Sequence, residues 1–149
     1  MTELAGPASG TVLEVRDFSV AYRTQAGDVR AVDHVGIDIG RGEVVGLVGE
    51  SGSGKSTLAY GAARLLRPPA LITSGTVLYH GRRTERAADI LRLSPDELKH
   101  LRWREIAIVF QSAMNALNPV LSVRNQLVDV IRVHLRVPRN EAEDRAARL

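Results

Sequence analysis

The chain has 149 residues, 44% of them apolar and none of them cysteine, with 20 Lys and Arg against 17 Asp and Glu for a formal net charge of +3. That length and composition predict one globular domain or part of one and argue against disorder, while the lack of cysteine excludes disulfides, thiolate metal sites and cysteine nucleophiles. The small basic surplus fits an anionic ligand and is weak evidence for nucleic acid.

Residues 1–10, MTELAGPASG, carry a Glu and no apolar core segment, so they read as a flexible start rather than a secretory signal. No apolar run approaches the ~20 residues that a membrane-spanning helix needs. Val12 to Arg23 mixes β-branched and aromatic residues in loose alternation and predicts a strand, Gln25 to Asp28 a turn, and Val29 to Ile39 a second strand returning beside the first. Glu43 to Val48 is a short apolar run bounded by glycines, the pattern of a strand buried on both faces. Gly49 to Gly54 holds three glycines in six positions and predicts a loop, and Ser56 to Leu66 a helix ending before Arg67-Pro68-Pro69. A further strand is expected at Thr76 to Tyr79. Ser94-Pro95-Asp96-Glu97 has a capping-box Ser and Glu around a first-turn Pro, so a short helix should run from there to about Leu101. Glu105 to Phe110 predicts another apolar strand and Gln111 to Pro119 an irregular segment. Ser122 then caps a helix with apolar positions Val123, Leu127, Val130, Ile131 and Leu135, which Pro138 breaks. Asn140 with Glu143 is expected to cap a last helix.

Gly49-Glu50-Ser51-Gly52-Ser53-Gly54-Lys55-Ser56 fits G-x-x-x-x-G-K-[ST] without a gap, between a predicted buried strand and a predicted helix. The chemistry explains the residue types. Glycines admit backbone angles that turn successive N–H groups toward one anion, and a helix N-terminus adds partial positive charge. Lys55 brings a mobile full charge for the β- and γ-phosphates, Ser56 a hydroxyl for the Mg²⁺ that bridges them, and Thr57 a hydroxyl on the α-phosphate side. The four histidines, His34, His80, His100 and His134, show no metal-ligand spacing.

The run Gly42 to Thr57, with Glu50 to Thr57 at its end and Ile108-Val109-Phe110-Gln111 later, closely resembles the nucleotide-binding subunits of ABC transporters. Gln111 to Pro119 looks most like the branch that serves dipeptide and oligopeptide importers. The resemblance covers Leu13 to Leu135. It implies an α/β fold of the P-loop NTPase, ABC-type class, cut short: an antiparallel β subdomain, part of a RecA-like core and the start of a helical subdomain. Residues 11–149 would form this partial ATP-binding domain, with the Walker A loop at 49–57, the Q-loop from 111 and the helical subdomain from 122. ATP and Mg²⁺ are the implied cofactors. Lys55 and Gln111 would be catalytic, Ser56 and Gln111 would meet the metal, and Tyr22 would stack on adenine. Taken alone, Gln111 also reads as a polar strand terminus and Tyr22 as a half-buried strand aromatic.

The resemblance further implies partners: a second ATP-binding subunit in a head-to-tail dimer, transmembrane permease subunits met through the Q-loop region, and, indirectly, an extracytoplasmic substrate-binding protein, with no nucleic acid. The place would be the cytoplasmic face of the membrane. No segment reads as the family's signature loop, Walker B strand, catalytic Glu or switch His, so the chain is expected to be the front part of such a subunit. The parent would hydrolyse ATP, and these residues alone would bind it at most. Val44 to Val48 would then present an apolar edge. Two alternatives stay open, an ABC-type ATPase acting on nucleic acid and a nucleotide-binding piece without turnover.

Overall fold

The computed structural model describes residues 10–81, 87–109 and 117–149. They fall into two units, one reaching to Leu98 and the other running Lys99–Leu149. In the first, four antiparallel strands lie in the order β2-β1-β3-β4, formed by β1 (Thr11–Thr24), β2 (Gly27–Gly40), β3 (Ala70–Tyr79) and β4 (Ala88–Asp89). Helix α1 (Lys55–Ala62) follows the glycine loop, and α2 (Pro95–Arg104) begins at the end of this unit. The antiparallel sheet with its helices is the α/β arrangement expected.

β1 is long because it bulges. Asp17 takes φ 50 and the ladder shifts register between Val15 and Phe18 toward β2 and between Arg16 and Ser19 toward β3, so Val15 and Phe18, three apart, both reach the core. Phe18, Val15, Val20, Val77 and Ile90 are fully buried. Two glycines admit Phe18. A Cβ on Gly61 of α1 would meet the Phe18 ring at 2.8 Å, and one on Gly75 of β3, where φ is +100, would meet Phe18 Cα at 2.6 Å. Pairing with Ser19 to Tyr22 of β1 carries β3 back to Ala70, six residues earlier than the alternation predicts.

α1 stops at Ala62 rather than Leu66. Arg64 turns left-handed at φ 54, its N–H bonds the Gly61 carbonyl, and the Leu65 N–H bonds the Tyr60 carbonyl, the double bond of a Schellman end. A glycine ordinarily fills that position. Here the Arg64 guanidinium donates to the Leu93 carbonyl at 2.5 Å and offsets the strain. At α2 the capping box forms as predicted: Ser94 N–H and Oγ–H donate to Glu97 Oε2, and Glu97 N–H donates back to Ser94 Oγ.

Two predicted strands do not form. Residues 43–50 are irregular, with Val44 96% and Val48 98% exposed, and residues 105–109 are irregular as well. A strand needs neighbours for its N–H and C=O groups. Among the described residues β1 to β4 pair only with one another, so an apolar run without a partner stays irregular.

In the second unit Ser122 Oγ accepts from Asn125 N–H and starts α3 (Val123–Leu135), which Arg136 ends in the left-handed region. α4 (Arg139–Ala146) has Pro138, not Asn140, at its N-cap. Pro138 has the extended backbone that cap requires, which leaves Asn140 inside the helix, and Glu143 serves elsewhere. It joins Arg139 on α4 and Arg124 on α3, both at 2.9 Å, beside buried Val128 and Ala142. No helix among the described residues is long and apolar enough to cross a membrane.

Candidate phosphate-binding site

The glycine loop ends where α1 begins, and its last glycine decides the geometry. Gly54 is the N-cap of α1 at φ 88. A Cβ there would lie 2.3 Å from the Ala31 carbonyl oxygen on β2, a distance no side chain tolerates, so the loop seats directly on the sheet only because this residue has none. Gly52 is also left-handed, at φ 82. The first turn of α1 carries no acidic residue and its cap makes no side-chain hydrogen bond. The positive end of the helix is therefore left for an external anion rather than satisfied from within.

Lys55, at the first helical position, folds back over the loop. Its Nζ donates to the carbonyls of Gly49 at 2.7 Å and Glu50 at 2.6 Å and to Ser53 Oγ at 3.2 Å. These bonds hold a full positive charge over the concave side of the loop. A cleft of about 350 Å³ opens there, lined by Gly52 to Thr57, by Tyr22 at the end of β1, and by Val29, Arg30 and Ala31 on β2; its size is at the small end for a ligand pocket. The Tyr22 hydroxyl lies 3.1 Å from Thr57 Oγ1, which ties an aromatic residue of β1 to the last residue of the phosphate loop in the same cleft.

Of the predicted site residues, then, Tyr22, Gly52, Ser53, Gly54, Lys55, Ser56 and Thr57 converge on one cleft. Gly49 and Glu50 act through their carbonyls on Lys55, and Ser51 is exposed outside the lining. Gln111 lies outside the described residues. The sequence reading missed Val29, Arg30 and Ala31. The turn is shorter than the expected Gln25 to Asp28: β2 already starts at Gly27, so the register pairs Tyr22 with Val29 and Ala21 with Arg30 across the hairpin.

The donor set suits a magnesium nucleotide. Ser56 offers one hydroxyl to a cation, and Mg²⁺ takes few protein ligands when phosphate oxygens supply others.

Comparison with known proteins agrees with this chemistry. The family model described as ABC transporter matches residues 32–149. The oligopeptide transport ATP-binding protein OppD of Bacillus subtilis is 34% identical over 139 residues, covering 93% of this chain and 37% of its own length. The dipeptide transport ATP-binding protein DppD of Caldanaerobacter subterraneus subsp. tengcongensis is 37% identical over 123 residues, or 83% of this chain and 36% of its own. For OppD of Escherichia coli the figures are 36% over 146 residues, 98% of this chain and 41% of its own. The chain thus spans about two fifths of the length of these relatives.

Proposed function

Since this chain belongs to the ABC transporter family, we propose that it supplies the ATP-binding site of a peptide importer and holds the phosphates of Mg-ATP in the loop from Gly49 to Thr57. One observation carries the reading: an uncapped helix N-terminus, the Lys55 ammonium, the Ser56 hydroxyl and the Tyr22 ring share a single cleft. Dipeptides and oligopeptides as cargo rest on the names of the relatives.

On this reading the loop N–H groups and Lys55 bind the β- and γ-phosphates, and Thr57 stands on the α-phosphate side. Tyr22 stacks on adenine, which needs only a flat polarisable face. Ser56 and Gln111 would hold Mg²⁺, which would supply neutralisation of phosphate charge. In hydrolysis, charge growing on the γ-phosphoryl oxygens is held by Lys55 and the loop amides. Gln111, a neutral amide that adds no repulsion, positions water or metal. Residues 11–149 are assigned to part of the ATP-binding domain, with the Q-loop from 111 and the helical subdomain from 122. Closure against a second ATP-binding subunit, contact of the Q-loop region with permease subunits at the cytoplasmic membrane face, and supply of cargo by an extracytoplasmic binding protein complete the proposal.

Calorimetric titration of the chain with Mg-ATP, beside its Lys55→Ala variant and a parallel ATPase assay, tests the reading. Binding that falls at least ~10-fold in the variant is expected, the loss of about one charge-assisted contact. A folded chain that binds no Mg-ATP, or binds it equally well without Lys55, would overturn the assignment.

A further inference from the structure

Arg30 shares the cleft with the phosphate loop, although the loop motif makes no demand on that position. Its place follows from Gly54. The missing Cβ lets the loop touch the Ala31 carbonyl, and this contact brings the neighbouring residues of β2 to the rim of the loop. Among the described residues lining the cleft, Lys55 and Arg30 are the two cations. Lys55 is tied into the loop itself. Arg30 is tied to Asp33, whose two carboxylate oxygens accept from its Nη1 at 3.0 and 3.1 Å, with both side chains more than half exposed. An exposed pair three residues apart is weakly held. A phosphate carries more charge than the carboxylate it would replace, and a guanidinium fork fits its oxygens in pairs.

We propose that Arg30 is a second cationic contact for the nucleotide: it leaves Asp33 for the phosphate chain when nucleotide enters the cleft, and so favours phosphorylated nucleotides over the bare nucleoside. This rests on the nucleotide reading of the loop. Tyr22 and its cross-strand partner Val29 line the same cleft as Arg30.

The test is equilibrium titration of the chain with Mg-ATP and, separately, with adenosine, comparing the parent with R30A, D33N and K55A. R30A should weaken Mg-ATP about fivefold, the factor for a partly solvent-screened charge contact, and leave adenosine unchanged. D33N frees the guanidinium and should strengthen Mg-ATP about twofold, within the same weak-pair range; a misfolded chain does not gain affinity. The double variant R30A/D33N should bind as R30A does. Parent-like Mg-ATP affinity in R30A, together with loss in K55A, would overturn the role of Arg30 and leave the loop assignment standing. Equal losses of Mg-ATP and adenosine in R30A would mark the residue as structural and also overturn it. Undiminished binding in K55A would remove the loop reading and this inference with it.

Discussion

The Tyr22 hydroxyl on β1 and Thr57 Oγ1 on α1 stand 3.1 Å apart, so one hydrogen bond joins the aromatic wall of the cleft to the helix that follows the phosphate loop. Either oxygen can donate, and the pair is partly buried. Tyr22→Phe keeps the ring and removes the bond, so it should cost about 0.5–1.5 kcal/mol of stability and change Mg-ATP affinity less than about threefold. Tyr22→Ala removes the stacking face and should weaken Mg-ATP by about 1–3 kcal/mol, as for other base–aromatic contacts. Denaturant melts and calorimetry on both variants check this. Equal nucleotide affinities for the two would show that the ring does not touch the base.

Gly54→Ala sets a Cβ 2.3 Å from the Ala31 carbonyl oxygen at φ +88. The loop must lift from β2 or the helix start must unwind. A destabilisation of at least ~1–2 kcal/mol is expected from the backbone angle alone, with loss of Mg-ATP binding. Gly46→Ala is the control, since an added Cβ there meets no atom within 4 Å. A Gly54→Ala chain that melts and binds as the control does would contradict the seating of the loop on the sheet.

His34 on β2 faces Asp17 on β1 across the paired bulge, with Nδ1 2.5 Å from Asp17 Oδ1 and both residues at φ 50. The hydrogen bond to Asp17, then its charge, raises the His34 pKa above the ordinary 6.5; Asp33 adds to this, while solvent loss and Arg30 oppose it. The folded state therefore binds the proton more tightly than the unfolded one. The pairing stabilises fully below pH 6.5 and is lost as pH rises through the folded pKa. Thermal melts from about pH 5.5 to 8.5, spanning histidine titration, should show the parent losing stability over the upper part of that range relative to His34→Asn, a residue that tolerates the left-handed backbone. Parallel curves for the two chains would remove His34 from the pH response.

The hairpin, the capping box at Ser94 and the phosphate loop were legible because each is written in neighbouring residues. Alternation gave β1 and β2, the Ser94 and Glu97 spacing gave the start of α2, and the loop pattern gave Gly49 to Ser56. Arg64 was not legible, because its left-handed turn depends on the distant Ile90 to Leu93 segment that receives its guanidinium. Arg30 was not legible: the expected turn from Gln25 to Asp28 sets another register than the one that forms, and the contact between Gly54 and Ala31 that brings it to the loop is not local. Glu43 to Val48 was misread for the opposite reason. Its composition suits a buried strand, whereas strand formation is decided by a partner that composition does not encode.

That same segment carries the last expectation. Val44 and Val48 are 96% and 98% exposed, with Val45 and Leu47 exposed between them. Four apolar side chains in five residues, with backbone groups outside any ladder, form a site for pairing with other chains. The chain should therefore self-associate with rising concentration in sedimentation velocity. Val44→Lys with Val48→Lys adds charge where nothing is packed, so it should shift the population toward monomer and change stability by no more than about 0.5 kcal/mol per site. Lys at an unpaired apolar segment acts as it does on a sheet edge, by making burial against a second chain costly. A parent chain that remains monomeric at every concentration, or a double variant that associates as the parent does, would place the cause of association elsewhere.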